Sequence, residues 1–493
     1  MKISANNFNN DYTEEEKSPK IKIYYTSDTH AHVVPNLLNI INSFEKDENT
    51  LIIDGGDTIQ GSPLSMYLSS ISNAEPFASV LNEAGYDYVT LGNHEFNYGK
   101  KYLQSFLGSL NAKCLCANMN SFPAYDIKEI AGFKIGIIGI ITDFIPFWER
   151  EKHIEGFTFS DPFLSAKENL EKIKKEVDLT ICLYHGGYER DVYTGEIYSE
   201  TKENIGYKIC DELDFDLVLT AHQHKPQAGV YINNTYTVQP PNYATAYLEI
   251  HIDFINGKPS FKSELKEARN DNYELPSSLK NHIEKADSWL NQPIGKLSKP
   301  LMQGDYLDMA LNGSDIANFQ NQVQLWATGA MYSSASVPNK ISGLNEIVTI
   351  RDVVSTYLFP NNLIVLELDY YMLKEIVEHT ASYFHYENGN ISISKHFLQP
   401  KIAHYGYDYY TFPYEIDLTK KVGERVTLPF KKDEKITICV SNYRAGGTDG
   451  YNAYKRAKII KEHQEYINDV IIEYFREHKN VEIVNYNMPK IIL

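Results

Sequence analysis

The stretch Leu91-Gly92-Asn93-His94-Glu95 closes a short apolar run, Tyr86 to Leu91, the way a buried strand closes. A glycine, an amide, an imidazole and a carboxylate follow one another without a spacer. An amide oxygen is a poor base but suits a hard or borderline cation, and the imidazole beside it can give a proton to a leaving group. So short a string recurs by chance and counts for little alone. Its weight comes from four other strand-like runs in the same half of the chain, which also end in metal-binding residue types.

Working outward, Ile21 to Thr26 runs into Ser27-Asp28-Thr29-His30, and Thr50 to Ile53 into Asp54-Gly55-Gly56-Asp57, with Gln60-Gly61 just beyond. Leu179 to Tyr184 ends at His185-Gly186-Gly187, and Leu217 to Thr220 ends at Ala221-His222-Gln223-His224. Lys134 to Ile141, Tyr236 to Val238 and Ala246 to Ile252 read as further strands. Helical patterns fall between them, at Asn36 to Lys46, Leu64 to Ser70, Pro76 to Ala84 and Asp161 to Glu176. Strands alternating with helices predict an α/β layer architecture, in which ligands gather past the C-terminal ends of strands.

Near Leu275 the character changes. Pro276-Ser277-Ser278 predicts a cap for a helix over Leu279 to Leu290, and Asn291-Gln292-Pro293 stops it. The chain therefore divides into a polar, disordered lead-in (1–20), a first domain (21–270), a connecting helix (271–298) and a second domain (299–493) with its own core. The second domain shows helical patterns at Asp315 to Ala327, Tyr371 to Tyr383 and Ile459 to Phe475, and strands at Leu363 to Leu368 and Lys435 to Ser441.

The net charge of −18 argues against binding nucleic-acid polymers, which need clustered Lys and Arg. A small anionic substrate stays open, because bound cations can reverse the local field. The five cysteines are odd in number and Cys182 sits inside an apolar run, so free thiols fit better than a disulfide framework. No apolar stretch is long enough to span a bilayer, and Met1 to Lys20 holds no apolar leader. The expectation is a cytoplasmic protein, or an extracytoplasmic one if a leader was removed, and a monomer or weak dimer.

Asp28, His30, Asp57, Asn93, His185, His222 and His224 form the candidate metal set. Two carboxylates, one amide and four imidazoles suit Mn, Zn, Fe or Ni, and not calcium. Asp28 with His30, and His222 with His224, have the i, i+2 spacing that shares one strand face. Seven ligands exceed what one tetrahedral ion needs but suffice for two divalent transition-metal ions bridged by one carboxylate, here assigned to Asp57. Two ions roughly 3.5–4 Å apart can hold a hydroxide and clamp an in-line displacement at phosphorus. Any one of these residues, taken singly, is more often a cap, a turn or a surface group; five strand ends so furnished are not. His32, His153 and Glu95 read as supporting or surface groups, and Asp54 as a brace for its loop.

Together, Asp28-Thr29-His30, Gly56-Asp57, Gly92-Asn93-His94-Glu95, His185 and His222-Gln223-His224 resemble the calcineurin-like metallophosphoesterases in order and spacing. Gln60-Gly61 narrows the resemblance to the 5′-nucleotidase and 2′,3′-cyclic-nucleotide 2′-phosphodiesterase family. So do Tyr357-Leu358-Phe359-Pro360-Asn361-Asn362 and Asn442-Tyr443-Arg444-Ala445-Gly446-Gly447-Thr448-Asp449-Gly450-Tyr451 in the second half. The resemblance implies a four-layer sandwich, a connecting helix and an α/β nucleotide-binding C-terminal domain. It implies that Asp28, His30, Asp57 and His224 hold one metal and Asp57, Asn93, His185 and His222 the other. His94 would lie beside the scissile phosphate, with Asn97 as its partner. A nucleobase would stack between Tyr443 and an aromatic of His404-Tyr405-Gly406-Tyr407-Asp408, with Tyr407 favoured, and Asp449 would lie in the same binding loop.

Two departures bear on the substrate. The resembling 5′-nucleotidases carry an aspartate where this chain has Asn97. They also carry a phosphate-contacting arginine where Ala327 to Ser336 has none. Both point to the 2′,3′-cyclic phosphodiesterase branch with 3′-nucleotidase activity. A 5′-nucleotidase or nucleotide-sugar hydrolase is the alternative within the class, and a non-catalytic nucleotide-binding protein the alternative outside it.

Overall fold

The computed structural model describes residues 21–197, 202–267, 273–337, 341–357, 361–397, 406–486 and 489–493. The expected lead-in, residues 358–360 of the quoted motif and residues 404–405 lie outside them. The chain divides into two compact units. One runs to Ser62 and resumes over Ile71–Leu279; the other comprises Pro63–Ser70 and Lys280–Leu493. The helix Pro63–Ser70 thus clusters with residues far from it in sequence. The helix Ser277–Leu290 carries the division.

The first unit is built on two six-stranded sheets. In one, Ile21–Thr26 lies parallel to Thr50–Asp54 and antiparallel to Ala246–Ile255. In the other, Phe133–Ile141, Leu179–His185 and Leu217–Leu219 run parallel. The sheets face each other, and the two-residue period of each strand sorts its side chains. Ile21, Ile23, Tyr25, Leu51 and Ile53 of one sheet share a core with Ile135, Ile137, Ile181, Leu183, Leu217 and Leu219 of the other. Burying each such Leu or Ile contributes about 1.5–3 kcal/mol, so this seam fixes the register of both sheets. The alternate residues Ile138, Ile140, Cys182, Tyr184 and Val218 pack outward with Leu170 and Ile173 of the helix Pro162–Ile173. The central strands are therefore apolar on both faces and read as unbroken runs. All five cysteines are free thiols.

The second unit centres on a five-stranded sheet, in the order Asp408–Tyr410, Tyr332–Ser336, Lys435–Ser441, Asn362–Asp369, Lys458–Tyr466. Ser314 caps the helix Asp315–Thr328 by accepting from Ala317 N, and Gly329 (φ 68°) ends it in the left-handed conformation. Asp369 caps Tyr370–Ala381 in the same way. The expected helix over Ile459 to Phe475 is corrected here: Lys458–Tyr466 is an edge strand on Asn362–Asp369, and only Ile467–Glu477 is helical. Pairing to a buried strand overrides the local periodicity.

Candidate metal centre and active site

The candidate ligands all sit just past strand C-termini of the first unit. Asp28 and His30 follow Ile21–Thr26, Asp57 follows Thr50–Asp54, and Asn93 follows Tyr88–Val89. His185 ends Leu179–His185, and His222 and His224 follow Leu217–Leu219. The backbone is strained at this edge. Asp28, His30, Asp57, His222 and His224 adopt φ of 51°, 48°, 56°, 73° and 57°. Non-glycine residues avoid the left-handed region, and each such placement costs of order 1–3 kcal/mol; strain gathered this tightly marks a functional site.

The side chains converge. Ligand atoms of Asp28, His30 and His224 lie within 4.8 Å of one another, as do those of His30, Asp57 and His94, and those of Asp57, His185 and His222. Asp57 belongs to two groups and His30 to two, so the three merge into one centre. His30 Nε2 lies 3.0 Å from His224 Nε2, and His224 Nε2 lies 3.4 Å from Asp28 Oδ1. His185 Nε2 lies 3.2 Å from Asp57 Oδ2 and 3.3 Å from Asn93 Oδ1. Asp28, His30, Asp57 and His185 are buried, while Asn93, His94, His222 and His224 are half-buried and form the open side.

Supporting hydrogen bonds aim these groups. His30 Nδ1 donates to Gln60 O at 3.2 Å and His185 Nδ1 to Gly55 O at 2.6 Å, which leaves both Nε2 atoms for the centre. The Asp57 loop hangs from Glu95, whose carboxylate accepts from the backbone N–H of Asp57, Thr58, Ile59 and Gly92 at 2.6–3.3 Å. Asp54 braces the same turn, accepting from Gly56 N at 3.0 Å and Thr58 Oγ1 at 2.5 Å. Two glycines let the loops close: a Cβ on Gly92 would lie 2.2 Å from Asp57 Oδ1, and one on Gly56 2.4 Å from Gly92 N.

The donor set fits divalent transition metals on its electrostatics. Burial opposes ionisation of Asp57, but the imidazoles of His185 and His94 outweigh it and hold the carboxyl well below its usual range. The reciprocal effect on His185 is large: burial disfavours its charge, yet Asp57 and Asp28 hold it up to about 10. Burial pulls His30 the other way, to about 3, so its ring stays neutral and free to ligate. Buried carboxylates that demand a proton on a neighbouring imidazole demand positive charge, and a cation meets that demand in the proton's place.

Beside Asp57, His94 Nδ1 meets Asn97 Oδ1 at 2.6 Å. Three neighbours carry no signal in the sequence. Trp148 stacks on His222 with ring centroids 5.6 Å apart, Tyr243 packs edge-on to His30 at 5.6 Å, and Glu203 Oε1 lies 2.9 Å from His222 Nε2. All three stand on segments without periodicity, and only the fold brings them to the centre.

In the second unit Tyr443 is half-exposed and its hydroxyl donates to Asp449 Oδ1 at 3.3 Å. Arg444 lies beneath, paired with Asp408 at 2.8 Å and Asp449 at 3.2 Å and packed over the Tyr451 ring at 4.1 Å. Tyr407 does not meet the stacking expectation. It is only 4 % exposed, its ring packs against Tyr383, Phe384 and Tyr409, and its hydroxyl bonds to that of Tyr414. Tyr407 immediately precedes the strand Asp408–Tyr410, and its side chain is buried in the core.

A two-sheet sandwich with histidines, carboxylates and an amide gathered at its strand ends defines a metallophosphoesterase domain. Residues 21–226 match the calcineurin-like phosphoesterase family model and residues 293–456 the 5′-nucleotidase C-terminal domain model. The chain belongs to the calcineurin-like phosphoesterases that carry a 5′-nucleotidase C-terminal domain. A Bacillus subtilis protein named trifunctional nucleotide phosphoesterase YfkN is 23 % identical, over 95 % of this chain and 39 % of its own. A Haemophilus influenzae protein named 2′,3′-cyclic-nucleotide 2′-phosphodiesterase/3′-nucleotidase is 26 % identical, over 76 % of this chain and 66 % of its own. The chain thus spans less than two thirds of either relative. A solved structure from Staphylococcus aureus, provisionally described as a 5′-nucleotidase and in complex with alpha-ketoglutarate, superposes with a TM-score of 0.83 at 29 % identity, covering 96 % of this chain and all of that one. Among the described residues, no helix is long and apolar enough to cross a membrane.

Proposed function

We propose that the chain is a dinuclear metal-dependent hydrolase of nucleotides that opens 2′,3′-cyclic nucleotides at the 2′ side and then removes the 3′-phosphate. The observation that carries the hydrolase reading is the convergence of His30, His185 and His222 on Asp57 and of Asp28 and His224 on His30, with His94 at the open side. Asp28, His30, Asp57 and His224 would hold one cation, and Asp57, Asn93, His185 and His222 the other. Two divalent ions bound there would supply positive charge to the phosphoryl oxygens and acidify the attacking water.

The chain's own residues supply the rest. His94 stands at the open side with Nδ1 tied to Asn97, so its Nε2 is the atom left to meet a leaving oxygen. As water attacks phosphorus, the P–O2′ bond breaks and O2′ takes a proton from His94, which leaves a 3′-nucleotide. A nucleoside would be recognised in the second unit by the exposed ring of Tyr443 and the carboxylate of Asp449. The cyclic branch is supported by Asn97, by the stretch Ala327 to Ser336 without arginine, and by the name of the Haemophilus relative. The likeness to the Staphylococcus structure favours a second reading, 5′-nucleotidase. The experiment that separates them is kcat/KM for 2′,3′-cyclic AMP and 3′-AMP against 5′-AMP, with metal-reconstituted protein. A clear preference for 5′-AMP overturns the branch and leaves the metallophosphoesterase class standing.

A further inference from the structure

We infer that Glu149 is a positioning residue for His94: its carboxylate sets which way the Asn97 amide points, and through that amide which nitrogen of His94 carries hydrogen. The inference rests on the role given to His94 above. Asn97 Nδ2 donates to Glu149 Oε2 at 2.7 Å, and Asn97 Oδ1 faces His94 Nδ1 at 2.6 Å. An ionised carboxylate only accepts, so the amide must turn its NH2 toward Glu149. Its carbonyl oxygen, which also only accepts, then faces the imidazole, and Nδ1 must be the donor. That leaves Nε2 for the substrate. A reversed amide would present NH2 to Nδ1, hold the hydrogen of the neutral ring on Nε2 and oppose the doubly protonated ring that gives its Nε2 proton to O2′.

The amide cannot make this choice alone, because its nitrogen and oxygen ends have the same shape. Glu149 can, because its own orientation is fixed. Its side chain is 2 % exposed. Its other oxygen, Oε1, accepts from Arg150 N at 2.8 Å and His153 Nδ1 at 2.9 Å. Burial opposes its charge, but the hydrogen bonds from His153 and Asn97 prevail and hold the carboxyl below its usual range. Glu149 is therefore ionised and offers no hydrogen to Asn97. All of these groups belong to the first unit.

The test exchanges the two groups. Glu149→Gln keeps the size but turns an NH2 toward groups that donate to the carboxylate; the amide of Asn97 relieves the conflict by turning over. The kcat should fall about 10–100-fold, as is usual when a group that orients a side chain at a metal site is removed, with KM and metal content unchanged. Adding Asn97→Asp to Glu149→Gln creates a carboxylate that accepts from the new amide and from His94 Nδ1 together. It should restore kcat at least ~10-fold, a coupling within the range of touching residues. If Glu149 only braces its loop through Arg150 and His153, the second change restores nothing, and the inference is overturned. Long-range nitrogen-15 spectra of the zinc-loaded, histidine-labelled protein decide the point without turnover. Hydrogen on Nδ1 of His94 in the wild type and the double variant, and on Nε2 in Glu149→Gln, bears the inference out; one tautomer in all three overturns it. A wild type that hydrolyses no phosphate ester would instead strike the function proposed above.

Discussion

Asp57 is the side chain on which the centre turns, and its chemistry makes the first prediction. It is buried, ionised and shared by two ligand groups. Asp57→Asn keeps its shape and removes its charge, so metal content and turnover should fall together, as elemental analysis and assay would show. Retained metal with full activity would deny Asp57 a bridging role. His94 behaves differently, because it follows a ligand without being needed as one. His94→Ala should lower kcat by roughly 10²–10⁴-fold, the usual contribution of a general acid, while metal content stays unchanged. Loss of metal in that variant would make His94 a ligand instead.

At the scale of the element, the site depends on loops that close within contact distance of each other. Gly92→Ala would drive a methyl group to 2.2 Å from Asp57 Oδ1 and 2.6 Å from His185 Cε1. Displacing reacting groups by about 1 Å costs on the order of 10²-fold in rate, so kcat/KM should drop by that much. A Gly92→Ala protein with wild-type kinetics would show that the loop yields freely. Glu95→Gln removes an acceptor from the cluster of backbone N–H groups at Asp57, Thr58, Ile59 and Gly92. An unsatisfied buried donor costs about 1–3 kcal/mol, which the urea transition of the first unit should register. The strand ends were legible because buried parallel strands are unbroken apolar runs and the ligands interrupt them at once. In the sequence Glu95 reads only as a supporting or surface group: adjacency to His94 says nothing of a carboxylate that turns back onto the preceding loop. The strand Lys458–Tyr466 reads as helix in the sequence because an edge strand, exposed at Ile459 and Ile460, has no clean two-residue period. Glu149 carries no sequence signal either, since a link of 52 positions to Asn97 exists only in the folded chain.

On the scale of the whole molecule, the proposed function assigns the two units two kinds of recognition. In the proposed function the phosphoester chemistry would rest on residues before Lys225 and the nucleoside contacts on Tyr443 and Asp449. Tyr443→Ala should therefore raise KM for nucleotides while leaving the hydrolysis of p-nitrophenyl phosphate, which has no base, unchanged. An equal loss on both substrates would give Tyr443 a structural role. The fold class and the gathering of the candidate ligands at one edge are open to reading because each rests on strand periodicity and residue type. The stacking partner is not: Tyr407 and Tyr443 are the same residue type, and only burial tells the ring in the core from the ring in solvent. A dinuclear centre is tested most directly through its metals. Protein stripped by chelation and titrated with Mn²⁺ should regain nucleotide hydrolysis in step with bound metal, reach a plateau at two ions per chain, and fail to do so as Asp57→Asn. Full turnover by verified metal-free protein would contradict it.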